Sequence, residues 1–280
     1  MKDLHDKVAA ITGAGSGIGR GLANALARRG CHLALSDVDD VGLAETVTQC
    51  EGRGVKVTSK HLDVADRESV EAWATEVVAE HGTVNLVFNN AGVALGASIE
   101  GMSYEDFEWL MDIDFWGVVY GTKAFLPHLK ASGDGHIVNI SSVFGLFSVP
   151  SQAAYNSAKF AVRGFTDALR MELEIEGAPV SCTTVHPGGI RTNIARSARM
   201  DESAAAFGDG GSSDEMLDEF DKLLRTSPEK AARQILKAVE RNRRRALIGP
   251  DAKALDLIAR LPAGVYQNAI VRGARARRDR

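Results

Sequence analysis

Residues 7–20 read Lys-Val-Ala-Ala-Ile-Thr-Gly-Ala-Gly-Ser-Gly-Ile-Gly-Arg. Lys7 to Thr12 is a short apolar run suited to a buried strand. Gly13 to Arg20 follows as a glycine-rich turn, and Gly21 to Arg29 has helical spacing with Leu22, Ala25 and Leu26 on one side. Strand, glycine turn and helix in succession present free backbone N–H groups and a helix dipole to a pyrophosphate. A Cβ in the turn would block the approach of backbone to phosphate. The strict GxGxxG fingerprint fails at its last position from any starting glycine. What stands is Thr12-Gly13-x-x-x-Gly17-x-Gly19, which alone is a glycine-rich turn between a strand and a helix.

The next strand, His32 to Ser36, supplies a partner. Asp37 closes it about 20 residues beyond the glycines, where an acidic group hydrogen-bonds the adenosine ribose hydroxyls. A carboxylate there repels a 2′-phosphate, no Arg or Lys follows it directly, and Ser16 in the loop is not basic. These features favour NAD over NADP. The alternative, that Asp37 starts a helix, suits Asp39 or Asp40 better as caps. Helix and strand patterns then alternate: Val41 to Gly52, Val55 to Leu62, Arg67 to Glu80 and Val84 to Phe88. That alternation means an α/β fold with a parallel sheet and right-handed crossovers. Asp63 and Asn89 fall at the carboxyl edge of the strands, where ligands sit or where plain turn residues sit.

The bulk properties bound the function. The chain has 280 residues, 45% hydrophobic and 25% charged, and a net charge of -4 gives no global reason to expect nucleic acid. Cys31, Cys50 and Cys182 are scattered without a CxxC, against a zinc site or disulfide framework and in keeping with a reducing cytoplasm. The N-terminal residues carry no apolar signal region, and no apolar run suffices to span a bilayer.

The second half offers chemistry. Trp109 to Leu129 reads as a long helix, Gly135 to Ile140 as a fifth strand ending in Ser141-Ser142, and Gln152 to Glu176 as another helix. Val180 to Val185 is a sixth strand, followed by His186-Pro187-Gly188-Gly189. Tyr155 and Lys159 share one helix face, and Tyr155 is the one tyrosine of four with Lys at i+4. An ammonium beside a phenol lowers the phenol pKa, making it a proton donor or acceptor for an alcohol/carbonyl pair. A surface Tyr–Lys pair is the plainer reading of that spacing alone. A Ser hydroxyl beside the pair would hold a substrate oxygen. His186 reads as a strand-end histidine rather than a base.

Together and in order, Thr12-Gly13-x-x-x-Gly17-x-Gly19, Asn89-Asn90-Ala91-Gly92, Ser142 and Tyr155-x-x-x-Lys159 resemble the short-chain dehydrogenases/reductases, over about Lys7 to Thr192. The resemblance implies a single Rossmann-type doubly wound domain with a mainly parallel seven-stranded sheet flanked by helices. It implies a nicotinamide-dependent oxidoreductase, homodimeric or homotetrameric, with no metal. By position, Ser142 would stabilise the substrate oxygen and Tyr155 would be the acid/base. Lys159 would lower the tyrosine pKa and bind the nicotinamide ribose. Gly13, Gly17, Ile18 and Gly19 would line the pyrophosphate, Asp37 the adenine ribose, and Asp63 and Val64 the adenine. Asn89 and Ala91 would meet the cofactor near the fourth strand, and Pro187, Gly188, Ile190 and Thr192 its carboxamide end. Val143, Val149 and Gln152 would join Ser142 and Tyr155 around the substrate, with Phe144 and Phe147 in the same stretch. The apolar character there suggests a hydrophobic alcohol or ketone, although core packing explains some of these residues equally well. One position departs from the family: Asp114 stands where Asn is usual. An ionised Asp accepts hydrogen bonds but cannot donate them. In the family that Asn anchors a water in a proton relay running to the lysine, so the expectation is that Asp114 holds that water or pairs with Lys159, and shifts the pH optimum.

Beyond Thr192 the resemblance fades. Residues 1–250 read as the catalytic domain, with 190–227 as a substrate lid and 251–280 as a basic helical extension. Asp201 to Asp221 holds eight acidic residues and no basic one, suited to a mobile lid or a solvated loop. Ser227-Pro228-Glu229 opens a helix to about Arg241, and Ala246 to Ile248 is a short seventh strand. Arg225 to Arg280 carries fifteen Lys or Arg against five Asp or Glu. A solvated face with a frayed tail accounts for that, and the functional alternatives are weak peripheral contact with an anionic membrane, an acidic partner subunit or an acidic substrate.

Two other functions compete. A regulator that senses NAD without chemistry has little use for Ser142, Tyr155 and Lys159 together. A nucleotide-sugar epimerase also uses a Tyr–Lys pair, but with a longer substrate domain and another glycine spacing.

Overall fold

The computed structural model describes residues 1–194, 196–207 and 226–278. Its strands are β1 (Val8–Thr12), β2 (His32–Asp37), β3 (Val57–His61), β4 (Leu86–Asn89), β5 (Leu95–Gly96), β6 (Gly135–Ile140), β7 (Val180–Pro187), β8 (Arg199–Met200) and β9 (Arg245–Ile248). The α-helices are α1 (Gly17–Ala27), α2 (Asp40–Cys50), α3 (Arg67–His81), α4 (Tyr104–Met111), α5 (Gly117–Ala131), α6 (Ala153–Ile175), α7 (Pro228–Glu240), α8 (Pro250–Ala259) and α9 (Ala263–Arg278). Seven strands form one sheet in the order β3-β2-β1-β4-β6-β7-β9, and every pairing in it is parallel. The strand order reverses between β1 and β4, which opens a crevice at their carboxyl ends.

Alternate residues of each strand face opposite layers of helices. Ala9 and Ile11 of β1 join Leu22 and Leu26 of α1 and Ile235 and Leu236 of α7. Val8 and Ala10 join Trp73 of α3, Phe125 of α5 and Leu169 of α6. Each fully buried large side chain contributes roughly 1.5–3 kcal/mol relative to exposure. These two cores hold the strand ends rigidly enough to carry a site.

Several elements differ from their sequence expectation. Helix α1 begins at Gly17, inside the glycine run, and β3 is shorter at both ends than Val55 to Leu62. The long helix expected from Trp109 begins earlier, at Tyr104, because the Ser103 side chain accepts from the Asp106 N–H and Glu105 and Asp106 occupy the first turn. That helical run passes through a π-turn, Asp112–Trp116, before α5. Finally, β5 and β8 form a separate parallel pair that no sequence pattern signalled.

The stretch read as a lid is tied down at several points. Ile190 bridges Thr226, β8 pairs β5, and Glu202–Phe207 forms a 3-10 turn. Residues 195 and 208–225 lie outside the described residues, as does most of the acidic run expected at 201–221. Arg225, Asp279 and Arg280 of the basic segment lie outside them too. The final helices α8 and α9 pack back on the body: Ala252 is buried with Val143, Leu146 and Phe147, and Tyr266 lies edge-on to Phe147 at 6.0 Å. Among the described residues, no helix is long and apolar enough to cross a membrane.

Candidate active site

The glycine loop after β1 is shaped by its neighbours. Gly13 (φ +65) and Gly17 (φ +49) adopt a left-handed backbone that favours glycine. A Cβ on Gly13 would lie 2.8 Å from the Ala91 Cα, and one on Gly19 would overlap the Gly13 carbonyl. Thr12 ties the loop to the end of β4: its hydroxyl oxygen accepts from the Asn90 and Ala91 N–H groups, each at 3.0 Å. The Asn90 amide donates to the Thr12 and Gly13 carbonyls. Helix α1 starts here with no acidic residue in its first turn, and its N-cap Ser16 makes no side-chain capping bond. Free N–H groups at a helix start suit a phosphate. A cleft of about 340 Å³ lies alongside, lined by Gly15, Ser16, Gly17, Asp39, Gly42 and Thr192 among others. The glycines leave backbone accessible where Cβ atoms would fill the space, so these residues fit a dinucleotide pyrophosphate.

Asp37 sits at the end of β2 with both oxygens engaged, one accepting from the Gly15 N–H at 2.7 Å and the other from the Asp39 N–H at 3.0 Å. Asp39 caps α2, as its place in the sequence suggested, which leaves Asp37 at the loop mouth. The other expected cofactor residues divide. The Asp63 carboxylate is exposed and accepts from the Ala65 N–H at 2.9 Å, an ordinary turn contact. Val64 is buried, close against Gly117. The Asn89 side chain points into the sheet, its amide nitrogen donating to Thr122 and Asn139 at 3.1 and 2.8 Å, while its buried Oδ1 has no partner among the described residues. Ile18 is half-buried against the α1 core, and Ala91 abuts Gly13.

Tyr155, Lys159, Ser142 and Asp114 come together at the ends of β4 and β6. The Lys159 ammonium is buried, 3.0 Å from Asp114 Oδ2 and 3.3 Å from the Ile140 carbonyl, which it donates to. It stands 5.4 Å from the centre of the Tyr155 ring. Asp114 is fully buried within the π-turn, and its Oδ1 accepts from the Val93 N–H at 2.7 Å. A Cβ on Gly92 would press to 3.2 Å from that oxygen, so the Asn-Asn-Ala-Gly turn ends in glycine to let the carboxylate approach. Ser142 Oγ accepts from the Phe144 N–H at 3.1 Å and lies within reach of the Tyr155 phenol. The π-turn matters because its wider spacing is what a lengthened helical turn produces; here it holds Asp114.

Lys159 pulls the Tyr155 pKa down as expected, but the net direction is upward. Burial pushes the phenol above its ordinary value, and this outweighs the opposing pull of Lys159 and of the Ser142 hydroxyl; the Asp114 carboxylate adds to the rise. Burial also pushes the Asp114 carboxyl up, against the pull of Lys159. Burial alone would lower Lys159, but Asp114 and Tyr155 together hold it above its usual value. The ammonium is thus shared between two acids, and Asp114 takes part of the charge that would otherwise serve Tyr155.

Around this centre, Gln152 opens α6 and bridges Ala97, Val149 offers its carbonyl to the Asn156 amide at 2.9 Å, and Val143 is buried beside Ala252. His186 is buried with its Nδ1 2.8 Å from the Ser142 carbonyl; burial lowers its pKa to about 4, which suits the strand-end reading. The loop after β7 faces the glycine loop: a Cβ on Gly17 would lie 2.9 Å from the Thr192 methyl. Within it, the Gly188 N–H donates to Ile248, the Gly189 N–H to Asp251 and the Arg191 N–H to Thr226. Among the described residues, the Ile190 N–H has no acceptor. Sequence reasoning missed Asp251, and it missed Ser141, whose hydroxyl donates to the Lys159 carbonyl at 2.8 Å. Asn90 stood in a quoted motif without a role.

Comparison with known proteins places the chain among its relatives. The family profile described as short chain dehydrogenase matches residues 7–203. SadH of Mycobacterium tuberculosis is 51% identical over 274 residues, spanning 98% of this chain and 97% of its own. The structure of a short-chain dehydrogenase/reductase from Burkholderia phymatum in complex with NAD superposes with a TM-score of 0.85 at 33% identity, covering 93% of this chain and 94% of that one. The alcohol dehydrogenase of Thermococcus sibiricus, complexed with 5-hydroxy-NADP, gives a TM-score of 0.68 at 30% identity, with 84% and 90% covered.

Proposed function

The chain belongs to the short-chain dehydrogenase/reductase family and is therefore a nicotinamide-dependent oxidoreductase; on that premise we propose that it uses NAD to interconvert a hydrophobic secondary alcohol and its ketone. The observation that carries this reading is the meeting of Tyr155, Ser142 and Lys159 at one strand end, across from a glycine loop that has Asp37 at its mouth. The nicotinamide ring supplies or accepts the hydride. Ser142 orients the substrate oxygen by a hydrogen bond. In reduction the Tyr155 phenol donates its proton to that oxygen, and in oxidation the phenolate takes it back. Positioned proton transfer of this kind is worth roughly two to four powers of ten. Lys159, fixed by Asp114 and the Ile140 carbonyl, keeps a positive charge beside the phenol and offers its remaining N–H to the nicotinamide ribose. The Ile190 N–H, without an acceptor among the described residues, suits the carboxamide oxygen.

NAD rather than NADP rests on Asp37. Its carboxylate is held by two backbone donors and repels a 2′-phosphate. Hydrophobic substrates rest on the ring-lined wall beside Tyr155, where Phe144 lies edge-on at 6.1 Å and Phe147 beyond it at 5.6 Å. Association into a homodimer or homotetramer would cover Trp116, Phe160, Met171 and Ile175, which α6 and the preceding helical run leave exposed. A cytoplasmic location fits three cysteines that are all free and buried.

The test is Tyr155→Phe. It should lose turnover of a hydrophobic alcohol or ketone panel by at least about a hundredfold while NADH binding stays within a few-fold of the parent. Near-normal turnover in the variant would remove the assignment.

A further inference from the structure

Asp251 lies far beyond the segment that carries the family motifs, in the first turn of α8. Its Oδ2 accepts from the Gly189 N–H at 2.5 Å. A Cβ on Gly188 would overlap the same carboxylate, and one on Gly249 would overlap its other oxygen. Gly249 adopts φ +99, a backbone open to glycine and strained for other residues. Two glycines, one on each side, therefore leave room for one side chain. Pro250 at the first helical position and the positive end of the α8 dipole favour a carboxylate at this point. Successive glycines lose more conformational freedom on ordering than any other residues. Here each N–H of the pair is committed: Gly188 to the Ile248 carbonyl and Gly189 to Asp251. The Gly189 carbonyl accepts from the Thr226 N–H. The neighbouring Ile190 N–H is left without an acceptor among the described residues.

We infer that Asp251 is a positioning residue for cofactor binding: from the last part of the chain it fixes Gly188-Gly189, and through them presents the Ile190 N–H to the nicotinamide end. The final helices thus form part of the cofactor site. The inference rests on the proposed placement of the nicotinamide at the loop after β7. The adenosine and pyrophosphate portion is held at the other loop, by Asp37 and the start of α1, so the effect of Asp251 is selective within one ligand.

The experiment measures dissociation constants of NADH and of ADP-ribose, which lacks the nicotinamide, for the full chain and for Asp251→Ala and Asp251→Asn. Asp251→Ala should lower the affinity for NADH relative to ADP-ribose by about tenfold, the loss expected for one charge-assisted hydrogen bond. Asp251→Asn keeps an acceptor for the Gly189 N–H and should restore most of that ratio. An unchanged ratio in Asp251→Ala overturns the inference, as does an equal loss of both ligands. A parent chain that binds neither ligand overturns the proposed function as well, and so separates the two failures.

Discussion

Two glycine-bearing loops face each other across the crevice, and they are held in different ways. The loop after β1 is fixed by its own sequence and by the next strands: Gly13 against Ala91, Gly19 against Gly13, Thr12 and Asn90 across to β4, Asp37 onto Gly15. Its tightest neighbour is backbone, the Gly13 carbonyl against which a Cβ on Gly19 would press. The loop after β7 is fixed from far along the chain, by Thr226 and by the side chain of Asp251. The first loop is a rigid cradle. The second is clamped by a carboxylate wedged between Gly188 and Gly249.

The comparison can be broken from either side. Gly19→Ala forces a methyl into the Gly13 carbonyl, which cannot retreat without moving β1. We expect NADH binding to fall below detection and thermal stability to drop by about 1–3 kcal/mol, as overpacking does. A binding-competent Gly19→Ala would mean that the first loop is not rigid. Gly188→Ala also overlaps a neighbour, but that neighbour is the Asp251 carboxylate. Its loss of NADH affinity should be smaller, and it should be largely absent when Gly188→Ala is made in the Asp251→Ala background. Titration of the four proteins gives the coupling directly, and strict additivity would deny the contact.

Cofactor choice sharpens the same contrast at the first loop. Asp37→Ser removes the charge that opposes a 2′-phosphate. The NADH-to-NADPH ratio of kcat/KM should fall by at least about tenfold, since each 1.4 kcal/mol changes a ratio tenfold. A ratio that stays put would place the discrimination elsewhere.

The smallest effect belongs to Asp114, between the loops. Its carboxylate raises the Tyr155 pKa, so Asp114→Asn removes a raising influence. Oxidation needs the phenolate, and the oxidative rate climbs as pH rises through the phenol pKa. The climb should therefore come at lower pH in the variant, with the rate near neutrality increased. A pH–rate profile that is unchanged or moves upward contradicts the role given to the ion pair.

Local signals made most of this legible in advance. Alternating apolar runs gave the sheet, because strand and helix periods are written in neighbouring residues. Tyr155 and Lys159 were readable because i and i+4 meet on any helix. Asp114 stood out as an Asp in an Asn place, and its pairing with Lys159 was one of the two roles expected of it. The direction of the Tyr155 shift was not readable, since it depends on burial and on the sharing of one ammonium between two acids. Asn89 was carried over as a cofactor residue; that its amide nitrogen donates to Asn139 and Thr122 was not readable, since only the fold brings those partners near. Asp251 had no signal at all. Its meaning lies in Gly188 and Gly189, about sixty residues earlier, and chain separation hides such contacts however strong they are.

An NAD-dependent oxidoreductase whose proton passes through Tyr155 must lose turnover, but not cofactor binding, with that hydroxyl. The most direct measurement is turnover of a hydrophobic alcohol panel with NAD and with NADP, by the parent chain and by Tyr155→Phe. The account predicts activity with NAD in preference to NADP, and its loss in Tyr155→Phe with NADH binding intact. Equal turnover by the two proteins, or activity confined to NADP, would contradict it.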